Sequence, residues 1–199
     1  MLLIIVAAPS GAGKTTLAHR LMDDVAGLRF SLSATTRPPR DDEQDGVDYH
    51  FMDADEFMAR VEAGEFAEHE EVYPGRLYGT LHSELDGGAE EGVRAIVVDK
   101  DVRGAMALKA MFGARALTLF IAPPSLEVLG DRLRARGSES EAGVHTRLDR
   151  AAMEMSYAQD FDRVVVNGDL EAAASEIAAV VRAFIDGHAQ FVVSDRRTG

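Results

Sequence analysis

The chain has 199 residues, 46% hydrophobic and 28% charged, which suits one globular domain with a sizeable core. No apolar run approaches the roughly 20 residues of a membrane-spanning helix, and the absence of cysteine excludes disulfides and thiolate–zinc sites, which fits a cytoplasmic setting. A net charge of −13 argues against a general nucleic-acid surface, which needs a basic face, and would also suit a saline cytoplasm.

The first element, Leu2–Ala7, is wholly apolar and reads as a buried strand. It lacks the basic leading segment of a signal peptide. Ala8-Pro9-Ser10-Gly11-Ala12-Gly13-Lys14-Thr15-Thr16 follows, and Leu17, Leu21 and Met22 then recur at helical spacing. Strand, glycine-rich turn and helix in this order make a P-loop. Successive backbone N–H groups would surround a phosphate at the positive end of the helix. Lys14 would reach the β- and γ-phosphates, and the Thr15 hydroxyl would ligand Mg²⁺. Ala8 stands where a first glycine is usual, which asks only that it keep an ordinary backbone conformation.

Leu28–Leu32 reads as the second strand. It runs into Ser33-Ala34-Thr35-Thr36-Arg37-Pro38-Pro39-Arg40, where two prolines forbid helix and hold Arg37 and Arg40 near each other on an extended loop. Their planar forks suit bidentate phosphate binding, although two arginines on a turn can equally be solvated surface charge. Gly46–Phe51 alternates like a strand, and Asp53 or Asp55 can cap the helix that ends at Gly64. Phe66–Val72, the Pro74-Gly75 turn and Leu77–Thr80 are dense enough in short strands to suggest a small β-rich insertion. His69 and His82 lack metal-ligand spacing and read as ordinary polar residues.

A helix weakened by Gly87-Gly88 is expected from Glu84 to Glu91. Ala95–Val98 is a continuous apolar strand ending in Asp99-Lys100-Asp101, where carboxylates face the ligand crevice of an open α/β sheet. A helix from Val102 to Met111, a strand Leu117–Ile121 and a helix Leu126–Ala135 capped by Ser125 come next. Arg132, Arg134, Arg136 and Arg147 then straddle a polar loop with one glycine, which can be surface charge or a lid that brings cations over a transferring phosphoryl group. A helix Glu141–Tyr157, a strand Arg163–Val166 and a final amphipathic helix Leu170–Ile185 close the pattern, leaving a tail at 186–199. About five βα units make this an α/β protein with a five-stranded parallel sheet.

These residues resemble the guanylate kinase family over essentially Leu2 to Ile185. The resemblance rests on the P-loop, Thr35–Arg40, Asp45–Phe51, Tyr78-Gly79-Thr80, Arg134–Gly137 and Val165-Val166-Asn167 in this order. It implies transfer of the γ-phosphoryl of ATP to GMP, with Mg²⁺, giving ADP and GDP for purine metabolism and GMP recycling. It divides the chain into a core (1–32, 85–127, 150–185), a GMP-binding insertion (33–84), a mobile lid (128–149) and the tail. By the same resemblance Ser33, Arg37, Arg40, Tyr49 and Tyr78 hold the GMP phosphate, and Glu68 and Thr80 read guanine. Asp99 and Asp101 resemble acids that order the Mg²⁺ shell and touch the acceptor nucleoside. Lys14, Arg37, Arg132, Arg136 and Arg147 are the expected catalytic cations. Residues 8–16 bind ATP, with Arg136 stacked on adenine and Asn167 beside it. Lys100, Arg103, Gly168 and the segment Tyr73–Leu77 depart from the family's commonest pattern. A ribose-bisphosphate kinase on the same scaffold and a non-catalytic, phosphopeptide-binding relative are the other readings. The first does not need Glu68 and Thr80, and the second has typically lost the P-loop lysine.

Overall fold

Leu2–Ala7 (β1) lies in the middle of a parallel sheet, because a strand apolar at every position can be buried only with layers on both faces. The computed structural model of the chain describes residues 1–86, 92–135 and 141–195, except for the side chains of Tyr73 and of 189–195. The sheet contains β1, Leu28–Ser31 (β2), Ala95–Lys100 (β7), Ala116–Ala122 (β8) and Arg163–Val166 (β9), in the order β2-β7-β1-β8-β9. Every pairing in it is parallel.

Side chains of β1 alternate between two cores, as the two-residue period of a strand requires. Ile4 and Val6 pack with Leu17, Leu21, Val97, Leu119, Ile177 and Val181. Leu3 and Ile5 pack on the opposite face with Ile96, Val98, Leu108, Phe120 and Phe161. The first face is covered by Lys14–Asp24 (α1) and the long helix Leu170–Asp195, and the second by Val102–Phe112. Register sets Ala7 beside Lys100, so the loop after β1 leaves the sheet next to the end of β7. The two places where chemistry was expected are thus neighbours.

A second sheet of four strands holds Ala34–Thr35 (β3), His50–Phe51 (β4), Phe66–Tyr73 (β5) and Arg76–Leu81 (β6), in the order β4-β3-β6-β5. Ala54–Glu62 (α2), capped by Asp53 at the Glu56 N–H, covers it with Phe57, which stacks on Phe66 at 4.4 Å. Only His50–Phe51 of the expected strand Gly46–Phe51 is extended, because Gln44 accepts from the N–H groups of Val47 and Asp48 and turns the chain first. The expected helix from Glu84 is a four-residue turn, His82–Leu85 (α3), and residues 87–91 lie outside the described ones.

Val102–Phe112 (α4) is capped by Asp101 through the Gly104 N–H at 2.8 Å. Leu126–Ala135 (α5) and Glu141–Ser156 (α6) bury Leu129, Leu133, Val144 and Ala151 between them. The last helix (α7) continues to Asp195, past the expected end at Ile185, since a lone Gly187 does not stop a helix that no proline follows. Among the described residues no helix is long and apolar enough to cross a membrane.

Candidate active site

The loop between β1 and α1 is shaped by two glycines in the left-handed region, Gly11 and Gly13, both at φ 94°. No non-glycine residue has a positive φ among the described residues, so Ala8 keeps an ordinary conformation. Gly13 is the residue that precedes α1, and the first turn of that helix carries no acidic side chain. Its positive end is therefore left for an external anion. Thr15 and Thr16 are exposed there. Lys14 pairs with Asp99, and its Nζ donates to the Lys100 carbonyl at 3.3 Å. Burial alone would lower the Lys14 pKa, but the charge and hydrogen bond of Asp99 raise it, so the cation is kept.

Arg37 and Arg40 meet on Glu43. Arg37 Nη1 and Nη2 donate to the two carboxylate oxygens at 2.8 Å each, and the Arg40 N–H donates to Glu43 Oε2 at 2.8 Å. The Arg37 hydrogen bond, with a smaller opposing effect of burial, holds the Glu43 carboxyl below the usual range. The Arg37 guanidinium also lies over the rings of Tyr49 and Phe51, 5.3 and 5.5 Å from their centroids, and Tyr49 meets Tyr78 edge-on. Burial and then the charge of Asp99 push the Tyr49 phenol up, so its hydroxyl remains a donor. These groups make a cationic, donor-rich corner fit for a phosphate. Arg40 reaches it from an exposed position, with 72% of its side chain accessible.

A third cluster centres on Glu68. Thr80 Oγ1 donates to Glu68 Oε1 at 2.6 Å, and Lys100 Nζ pairs with the same oxygen at 2.8 Å. Lys100 Nζ also donates to Ser33 Oγ at 3.1 Å, so Ser33 is joined to this cluster rather than to the arginine corner. Gly104 leaves room beside it, since a Cβ there would stand 3.1 Å from Glu68 Oε2. Asp101 caps α4 through Oδ1, and its Oδ2 lies 3.8 Å from Arg150 Nη2. Burial and neighbouring Asp101 push the Glu70 carboxyl up.

Helices α5 and α6 rest on the loop between β1 and α1. A Cβ on Gly11 would stand 3.0 Å from both Leu129 and Leu133, and Arg147 Nη1 donates to Ser10 Oγ at 2.6 Å. Arg132 Nη2 donates to the Asn167 carbonyl at 2.9 Å, and the Asn167 amide donates to the Ala12 carbonyl at 2.8 Å. Arg136 lies outside the described residues. Three participants were not picked out as site residues from sequence: Glu43, Lys100 and Arg150. Arg150 donates to the Val72 carbonyl at 3.1 Å and to Glu154 at 2.8 Å, which ties α6 to the second sheet. Glu43, six residues after Arg37, had a legible signal as an acid beside two arginines. Lys100 stood out only as a charge within an apolar strand.

Among the described residues no group of three or more His, Asp or Glu could hold a metal. The available hard oxygen donors are the Thr15 hydroxyl and the Asp99 carboxylate, a set that suits a magnesium ion arriving on phosphates.

The family model for guanylate kinase matches residues 1–184. The guanylate kinase of Salinibacter ruber is 50% identical over 183 residues, covering 92% of this chain and 96% of that protein. That of Chlorobium chlorochromatii is 46% identical over 183 residues, covering 92% and 95%. Among solved structures, the guanylate kinase of Anaplasma phagocytophilum is similar with a TM-score of 0.73 and 32% identity, covering 92% of this chain and 85% of that one.

Proposed function

This chain belongs to the guanylate kinase family and phosphorylates GMP with ATP, and from that premise we propose how its own residues divide the work. The P-loop, residues 8–16, holds the ATP phosphates with Lys14, while Asn167 and Arg136 serve the adenine end. Arg37, Arg40, Tyr49 and Tyr78 hold the GMP phosphate. Glu68 and Thr80, with Ser33 beside them, read the base. A carboxylate accepts from guanine N1–H and the exocyclic amine together, and a hydroxyl can donate to O6. Adenine offers the opposite pattern at those atoms and would leave a buried Glu68 poorly paired.

Thr15 would hold Mg²⁺, with the rest of its ligands from phosphate and water and with Asp99 and Asp101 ordering that shell. The ion supplies charge neutralisation between the two nucleotides. A GMP phosphate oxygen forms the new bond to the γ-phosphorus, and the bond from that phosphorus to the ADP oxygen breaks with its electron pair. The attacking oxygen is already anionic at neutral pH, so no side chain need remove a proton. Lys14, Arg37, Arg132, Arg136 and Arg147 act by alignment and by neutralising charge. We place the protein in the cytoplasm. The division into core, GMP-binding insertion and lid supports closure over the two nucleotides.

The observation that carries this assignment is the Glu68–Thr80 pair, its carboxylate less than a tenth exposed, set at the same end of β7 as Lys14. A coupled assay with ATP and GMP, AMP or UMP tests it, and turnover is expected with GMP alone. Glu68→Gln should raise KM for GMP and leave KM for ATP unchanged. Equal loss on both substrates would remove Glu68 from the base site.

A further inference from the structure

Lys100 is buried, 7% exposed, in a strand that is otherwise apolar up to Asp99. An isolated ammonium at that depth is strongly disfavoured, so its partners define what it does. Its Nζ sits between Glu68 Oε1 at 2.8 Å and Ser33 Oγ at 3.1 Å, and both side chains of the ion pair are less than a tenth exposed. Its own carbonyl accepts from Lys14, which anchors the residue next to the P-loop.

Thr80 supplies the second constraint. A threonine hydroxyl has one proton, and here it is given to Glu68 Oε1. Reading a carbonyl on the base requires that the same proton be turned away from Glu68. A buried carboxylate oxygen that lost its only donor would oppose that turn. Lys100 removes the conflict, because its ammonium remains on Oε1 whichever way Thr80 points.

We propose that Lys100 is the positioning residue of the base site: it fixes the Glu68 carboxylate and stays as its donor when Thr80 turns its hydroxyl to guanine. The inference rests on the reading of Glu68 and Thr80 given above. It makes the acceptor specificity of this chain depend on a cation the base itself need not touch.

Steady-state kinetics of the wild type, Lys100→Met, Glu68→Gln and the double variant test it, with GMP and ATP each varied. Lys100→Met should raise KM for GMP about 10- to 100-fold, the range for losing one hydrogen bond to a buried charge, with KM for ATP unchanged. Added to Glu68→Gln, it should raise KM for GMP by no more than about threefold, because Lys100 acts through Glu68. An unchanged KM for GMP in Lys100→Met, a parallel rise for ATP, or the full penalty persisting in the Glu68→Gln background would each overturn the proposal. If Lys100→Met does not fold, the comparison of Glu68→Gln with the double variant, which buries no unpaired charge, decides alone. Wild-type protein that fails to use GMP would overturn the base-site reading itself. Active wild type with an indifferent Lys100→Met overturns only the role of Lys100.

Discussion

Arg37 and Glu43 meet through two parallel hydrogen bonds, both at 2.8 Å, and this pair sets the direction of the Arg37 guanidinium. Arg37 Nη1 also donates to the Pro38 carbonyl at 2.8 Å, so the guanidinium is held from two sides before a substrate arrives. Glu43→Ala should therefore weaken GMP binding without touching the ATP side. The expected change is a KM for GMP about tenfold higher, the size of one charged hydrogen bond. Arg37→Ala removes the cation itself and should lower kcat/KM by on the order of 10²–10³. Initial rates with each substrate varied in turn separate the two effects.

That relationship also shows where reading the sequence stops. The strands of the main sheet were legible because burial on both faces demands unbroken apolar runs such as Leu2–Ala7 and Ala95–Val98. Arg37 and Arg40 were legible because two prolines restrict the loop between them. Lys100 was not, since its role depends on which distant side chains the fold sets opposite it, whereas Glu43 showed only as an acid close to two arginines. Ser33 was set among the phosphate ligands by the family resemblance alone, and no local pattern could show that its hydroxyl, just before β3, meets Lys100, 67 residues away. The strand expected over Gly46–Phe51 failed for a local reason. Its alternation was real, but Asp48 Oδ2 accepts from the Gln44 N–H at 2.8 Å and helps fold the segment back first.

Glu84 closes both crossings between the main sheet and the second sheet. Its Oε2 accepts from the Leu32 N–H at 3.0 Å and from Arg29 at 3.4 Å, its Oε1 lies 2.9 Å from His50 Nε2, and its carbonyl accepts from Arg29 at 2.6 Å. Glu84→Ala should destabilise the protein by about 2 kcal/mol, because the part-buried Leu32 N–H loses its acceptor and the Arg29 guanidinium loses its charged partner, keeping the bond to the Glu84 carbonyl. A urea midpoint shifted to lower concentration, together with a raised KM for GMP, is the expected result.

Metal removal should separate binding from folding. On the proposed reading Thr15 and Asp99 would give magnesium only a hydroxyl and a nearby carboxylate, so the ion would depend on the nucleotide for the rest of its ligands. A chelator should abolish turnover and leave the melting temperature of the nucleotide-free protein unchanged. Circular dichroism melts beside activity measurements on the same samples check this.

Asp162 gives the acid side of the stability profile. Its Oδ2 accepts from Lys109 at 2.7 Å and from the N–H and hydroxyl of Thr118 at 2.9 Å each. Burial alone would raise its pKa, but those three donors hold it below the usual carboxylate value. A depressed folded pKa stabilises the native state above the unfolded value, and that stability disappears as the pH falls through the folded one. The side chain is more than a third exposed, so solvent screening limits the effect to about 1 kcal/mol. Asp162→Asn should lower the urea midpoint at pH 7, and the gap from wild type should narrow as the pH drops below about 4.

Asn167 joins the end of β9 to the P-loop and to α5. Its N–H donates to the Ala122 carbonyl at 2.8 Å, its side-chain amide to the Ala12 carbonyl at 2.8 Å, and its own carbonyl accepts from Arg132. The backbone contacts survive truncation of the side chain, so Asn167→Ala removes only the tie to Ala12. That tie sits against Gly13, where a Cβ would stand 2.3 Å from the Asn167 amide nitrogen. Gly13→Ala therefore meets two obstacles, a left-handed φ and a side chain that must leave. Asn167→Ala relieves the second and not the first. If the packing contact dominates, the double variant should recover much of the ATP binding that Gly13→Ala loses. If the φ of 94° dominates, it should recover little. The left-handed φ is the larger opponent, because the amide is the far end of a side chain that can turn aside, whereas alanine at φ 94° is strained whatever space is made. Little rescue of KM for ATP in Gly13→Ala/Asn167→Ala is the expected outcome, read against both single variants.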